Sequence, residues 1–76
     1  MNTIAKRSVS IRGHRTSISL EEPFLEELGT IARRRNISLA ALIAEVDAKR
    51  SADSNLSSAL RLHVFHDLKA RLTDLR

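Results

Sequence analysis

Three groups of side chains in this sequence have the types and spacing to do chemistry. His63 and His66 stand three residues apart and would share one face of a helix. A zinc ion normally takes three or four protein ligands, and here there is no cysteine and few carboxylates are placed to join the two imidazoles. Ordinary helix residues are the better reading, and no metal or other cofactor is expected. The serines are numerous, but none sits in a nucleophile elbow and no Asp–His pairing stands out. Gly13 and Gly29 are the only glycines, so there is no glycine-rich phosphate loop. No enzyme activity is expected. The third group is Arg15, Ser17 and Ser19, which alternate with Thr16, Ile18 and Leu20. Period two puts the first three on one face of a β-strand and the other three on the opposite face. An arginine can reach the O6 and N7 of guanine, and hydroxyls can donate to or accept from several bases. The plainer alternative is the polar outer face of a half-buried strand.

The elements that must position these residues can be traced along the chain. Residues 1–7 read as a flexible basic arm containing Lys6 and Arg7. Alternation begins at Ser8-Val9-Ser10-Ile11-Arg12 and resumes over Arg15 to Leu20, with Gly13 as a bend or bulge between the two pieces. A helix follows. Pro23 suits its first turn, and Phe24, Leu25, Leu28, Ile31 and Ala32 form its apolar face. Arg33, Arg34 and Arg35 suit its negative end, and Asn36 suits a left-handed residue just beyond it. Ser38 is a good N-cap for a second helix with Leu39, Leu42, Ile43 and Val46 on one side, ending near Lys49 or Arg50. After the polar break Ser51 to Asn55, a third helix is expected from about Leu56 to about Leu72, capped by Ser54 or Asn55. It carries two stripes. Leu56, Leu60, Val64 and Leu68 make one, and Leu62, Phe65, Leu68, Leu72 and Leu75 make the other. So wide an apolar face is expected to pack on its own subunit and also on a partner.

The chain has 76 residues, so one small domain is expected, and without cysteine the extra stability such a domain needs should come from oligomerisation. Net charge is +4, and the first twenty residues hold Lys6, Arg7, Arg12 and Arg15 with no acid, which suits a polyanion such as DNA. No long apolar run spans a membrane and no secretory signal is seen, so a cytoplasmic location is expected. The chain then reads as mainly α with one N-terminal strand. A single strand leaves a row of backbone groups unpaired, and the simplest repair is antiparallel pairing with the same strand of a second copy. Thr16, Ile18 and Leu20 would then cover the helices, while Arg15, Ser17 and Ser19 face solvent.

Taken in order, Arg15-Thr16-Ser17-Ile18-Ser19-Leu20, the helix from Pro23 to Arg35, and Asn36-Ile37-Ser38-Leu39-Ala40-Ala41-Leu42-Ile43 resemble a ribbon-helix-helix domain of the MetJ/Arc/CopG type, found in bacterial repressors and antitoxins. The longer run Gly13 to Glu21 resembles an extended bacterial subfamily of it. The resemblance covers residues 15–50. It implies an α+β intertwined homodimer with an intersubunit two-stranded antiparallel ribbon, in a domain over 8–50; the C-terminal helix within 51–76, expected to pack on the same dimer, is an addition that the minimal fold lacks. It also implies base contacts from Arg15, Ser17 and Ser19, and a DNA phosphate held at Ser38, Leu39 and Ala40 by the start of the second helix. Lys6, Arg7 and Arg12 are candidates for further phosphate contacts. Expected partners are double-stranded DNA and a second copy, in a transcriptional regulator that represses. The alternatives are an antitoxin with a toxin partner, or an interaction module that has kept the dimer fold. Asn36 stands where many relatives have glycine, and asparagine tolerates the left-handed conformation that position needs.

Overall fold

The computed structural model describes residues 3–74. Two strands lead, β1 over Ile4–Ile11 and β2 over His14–Glu21. They pair antiparallel as a two-stranded ribbon. Arg12 and Gly13 connect them with φ values of 49° and 83°. Positive φ at both central residues marks a type I′ turn, whose twist matches that of the flanking strands. The expectation of one strand without a mate in its own chain is thereby corrected. β1 supplies the mate, and Ile4 to Arg7 belong to that strand and not to an arm (Met1 and Asn2 lie outside the described residues). Gly13 is the second half of a tight turn and not a bulge. The disguise was Arg7. Register sets it opposite Ile18 on the inward face, where it interrupts the alternation that Ala5, Val9 and Ile11 otherwise keep. Its long stem can follow the ribbon edge while the charged head stays exposed.

Helix α1 spans Glu22–Arg34 with Pro23 in its first turn. Its end is a Schellman motif. Asn36 is left-handed at φ 60°, Asn36 N–H donates to the Arg33 carbonyl (3.1 Å) and Ile37 N–H to the Ala32 carbonyl (3.0 Å). Helix α2, Leu39–Lys49, starts on Ser38, whose Oγ accepts from Ala41 N–H at 3.0 Å. Helix α3, Leu56–Asp74, starts on Asn55, whose Oδ1 accepts from Ser58 N–H at 2.7 Å.

The inward side of the ribbon, chiefly Ile11, Ile18 and Leu20, covers a three-helix layer. β1 lies against α2, and β2 lies against α1 and α3. Leu25, Leu28, Ile31 and Ala32 of α1, Leu42, Ile43 and Val46 of α2, and Leu60 and Val64 of α3 complete one core. Phe24 and Leu39 are half-buried at its margin. Ion pairs lace its surface. Arg34 holds Asp67 (2.8 Å), Arg35 holds Glu45 (2.8 Å), and Arg71 reaches both Glu27 (3.1 Å) and Asp67 (3.0 Å). The arginines at the end of α1 thus tie it to α2 and α3 as well as suiting its dipole.

Candidate nucleic-acid interface

The ribbon has an outward face made of four cross-strand pairs: Ile4 opposite Glu21 at one end, then Lys6 opposite Ser19, Ser8 opposite Ser17, and Ser10 opposite Arg15. All of them but the half-buried Glu21 are exposed. The hydrogen-bond parity of the ladder follows from Glu22 N–H donating to the Thr3 carbonyl at 2.9 Å, one step beyond the Ile4–Glu21 pair. Pairs an odd number of steps from there, the outward ones, lie between the hydrogen-bonded pairs. In such positions opposing Cα atoms approach to about 4.5 Å and side chains stand closest. The same parity turns the backbone groups of Arg15, Ser17 and Ser19 toward the second edge of β2. On that edge the Ser19 carbonyl accepts from Ser57 Oγ at 2.8 Å, so the first turn of α3 is tied to it.

Electrostatically the face is cationic at Lys6 and Arg15 and hydroxyl-lined between them. Asp47 lines an open pocket with Ser17 and Ser19, and Glu21 stands on the face itself, beyond Lys6 and opposite Ile4. Arg61 holds that carboxylate through Nε at 2.8 Å and Nη2 at 3.2 Å. The arginine hydrogen bonds keep the Glu21 carboxyl below its ordinary range. Asp47 is likewise held, by Arg12 and Arg50 at 2.7 Å each, so both acids near Lys6 and Arg15 are paired with arginines.

The other expected site residues fall in two places. Arg7 shares an open cleft with Leu25, Glu26, Gly29, Thr30, Arg33 and Leu39, so it lies near the start of α2. There the first N–H groups of the helix, at Leu39 and Ala40, have no acceptor within the helix. Ser38 Oγ is occupied by capping but remains exposed. Arg12 stands apart at the turn, with Nη2 2.7 Å from Asp47 Oδ2. His63 and His66 line a shallow groove with Val46, Ala59 and Leu62. Among the described residues no group of three His, Cys, Asp or Glu gathers to hold a metal, and no helix is long and apolar enough to cross a membrane.

The model of a known family, the ribbon-helix-helix domain, matches residues 4–68. The chain belongs to the ribbon-helix-helix family. Ribbon-helix-helix domains are, as a family, DNA-binding regulators that dimerise. No curated protein and no solved structure matches the chain. Within this ribbon-helix-helix chain Ser8 and Ser10 fall on a strand, as their alternation implies, but sequence reasoning did not count them in the site. Two alternating runs separated by Arg12-Gly13 were the available signal, since X-Gly between such runs marks a two-residue hairpin. Lys6, expected on an arm, sits instead across from Ser19.

Proposed function

We propose that this chain is a sequence-specific DNA-binding transcriptional regulator that acts as a homodimer in the cytoplasm, represses by occupying its operator, and reads the major groove with the outward face of its ribbon. The observation that carries this is the outward face itself: six exposed polar residues, two of them cationic, on a ribbon two strands wide. Strands lie about 4.8 Å apart, so a two-stranded ribbon enters a groove about 12 Å wide. Pairing the free edge of β2 with a second copy would make a four-stranded sheet, with outer strands about 14 Å apart before side chains are added. That is too wide to seat face-on. The intrachain ribbon therefore takes the role expected of a ribbon shared between two chains.

In this scheme Arg15 pairs with guanine, and Ser17 and Ser19 contact neighbouring base edges. Ser8 and Ser10 add hydroxyls from the second strand. Lys6 and Arg7 contact phosphates, and so does the start of α2 at Ser38, Leu39 and Ala40. Arg12 contributes there only if it leaves Asp47. The short serines bring the backbone close to the groove floor, where longer side chains would hold it away.

Selection of bound sequences from a random duplex pool tests the proposal. Enrichment of a motif, with binding that weakens steeply as salt is raised, is the expected result. Failure to bind any duplex at low salt would leave an interaction module. A toxin that co-purifies and competes with DNA binding would make the chain an antitoxin.

A further inference from the structure

The outer side of α3 has no part in the core or in the ribbon. Leu62, Phe65, Leu68 and Leu72 remain 56%, 53%, 39% and 64% exposed there, and they are four of the five large apolar residues left exposed among the described residues. The other stripe of the helix, Leu60 and Val64, is in the core beneath the ribbon. Beside Leu62 a groove of about 400 Å³ opens between the end of α2 and the first half of α3. Val46, Ala59 and Leu62 give it apolar walls. Lys49 brings a cation to it, and His63 and His66 bring ring N–H donors.

The charge at this surface has one sign. No acid lines the groove, and Arg50 does. Lys69 Nζ lies 5.6 Å from the centroid of the Phe65 ring, and Lys69 makes no ion pair among the described residues. The acids on the same two helices are held by arginines. Glu45 stands 3.9 Å from Lys49 but 2.8 Å from Arg35, and Asp67 is turned to Arg34 at 2.8 Å and Arg71 at 3.0 Å.

We propose that this face of α3, with the adjoining groove, docks an amphipathic helix of a different protein, one whose apolar stripe is flanked by aspartates or glutamates. The stripe from Leu62 to Leu72 runs about 15 Å at 1.5 Å per residue, so the occupant needs about three turns, with apolar anchors three and four residues apart. Its acids meet Lys69 beside the stripe, and Lys49 with the two imidazoles across the groove. Charge complementarity decides against α3 of a second copy as the occupant, because that helix would set Lys69 and His66 against the same side chains and bring no free carboxylate in its middle. The area sets the strength. Side chains of this size expose about 200 Å² each when free, so the four fractions come to roughly 400 Å². That is half of what one partner of a standard interface buries, about 800 Å², and it fits a reversible contact.

This inference does not rest on the proposed DNA reading, since the outer side of α3 is turned away from the ribbon. The probe is a fluorophore-labelled synthetic helix of about fourteen residues, with leucines at those spacings and glutamates beside them, titrated into the full chain and followed by anisotropy. It should bind saturably, about tenfold tighter than the same peptide with glutamine for glutamate, and a peptide with serine for leucine should not bind. Lys69→Glu should weaken the glutamate peptide about fivefold or more and leave the glutamine peptide unchanged. Phe65→Ser should weaken both about tenfold while circular dichroism shows the chain still folded. Lys6→Ala, on the ribbon, should change neither. Equal affinity for the glutamate and glutamine peptides would overturn the inference, as would binding of the serine peptide or binding indifferent to Lys69→Glu and Phe65→Ser. A peptide copying residues 56–74 that binds more tightly than the glutamate peptide would give the face to a second copy, and Phe65-dependent flotation with phosphatidylglycerol vesicles, without peptide binding, would give it to a membrane surface; either overturns the inference. Failure to bind any duplex, with peptide binding intact, would strike the proposed function and leave this inference standing.

Discussion

Arg15→Ala separates specific recognition from general attraction. Arg15 is exposed and makes no ion pair among the described residues. Removing it therefore breaks no interaction that holds the fold, and any change in DNA binding reports on the DNA. A bidentate arginine–guanine pair discriminates against the wrong base by about 1–3 kcal/mol, roughly 5- to 150-fold. A dimer that places two ribbons would lose about twice that free energy on its preferred site. Lys6→Ala is the contrast. As a phosphate ligand Lys6 contributes to every duplex alike, so its removal should weaken all of them evenly. The slope of log K against log salt should fall by about 0.9 for each phosphate no longer neutralised. Fluorescence anisotropy on the selected duplex and a scrambled one, at several salt concentrations, measures both quantities. If Arg15→Ala lowers affinity for the two duplexes equally, so that their ratio stays at the wild-type value, then Arg15 is only a charge and the base-reading assignment fails.

The fold makes further predictions. Ser38→Ala removes the acceptor for Ala41 N–H and should cost about 1 kcal/mol in urea denaturation, with an unchanged m-value. Leu60→Ala empties a fully buried position on α3 and should cost about 2–5 kcal/mol; a loss under about 1 kcal/mol would show that α3 does not belong to the cooperative unit. The Glu21 and Glu45 carboxyls are both held low by arginine hydrogen bonds, from Arg61 and Arg35 respectively. Their stabilising effect is present above the ordinary carboxylate range and is lost as pH falls through their lowered values. The thermal midpoint should thus be level near neutrality and decline in acid, and Glu45→Gln should flatten part of that decline.

Much of the molecule could be read from residue types and spacing. Helical periodicity located all three helices, because the apolar positions of each recur at the same turn. Caps were legible where a short polar side chain satisfies a definite backbone group, as at Ser38, or where a conformation admits few residues, as at Asn36. The face of β2 was legible because Thr16, Ile18 and Leu20 alternate without a break. β1 was legible only from Ser8 onward, and not as the mate of β2, since Arg7 occupies an inward position and a long cationic side chain there looks like surface. With β1 hidden, β2 was assigned a mate in another chain, and Ser8 and Ser10 lost their place beside Ser17 and Arg15. Pairing between strands is a tertiary fact. Period two assigns each residue a face but does not say which segment lies alongside.

The type I′ turn at Arg12-Gly13 joins segments that adjoin in sequence, so within one chain the hairpin closes in a first-order step whose rate does not depend on protein concentration. Dilution lengthens the wait for any second chain but leaves the closing of this hairpin unchanged.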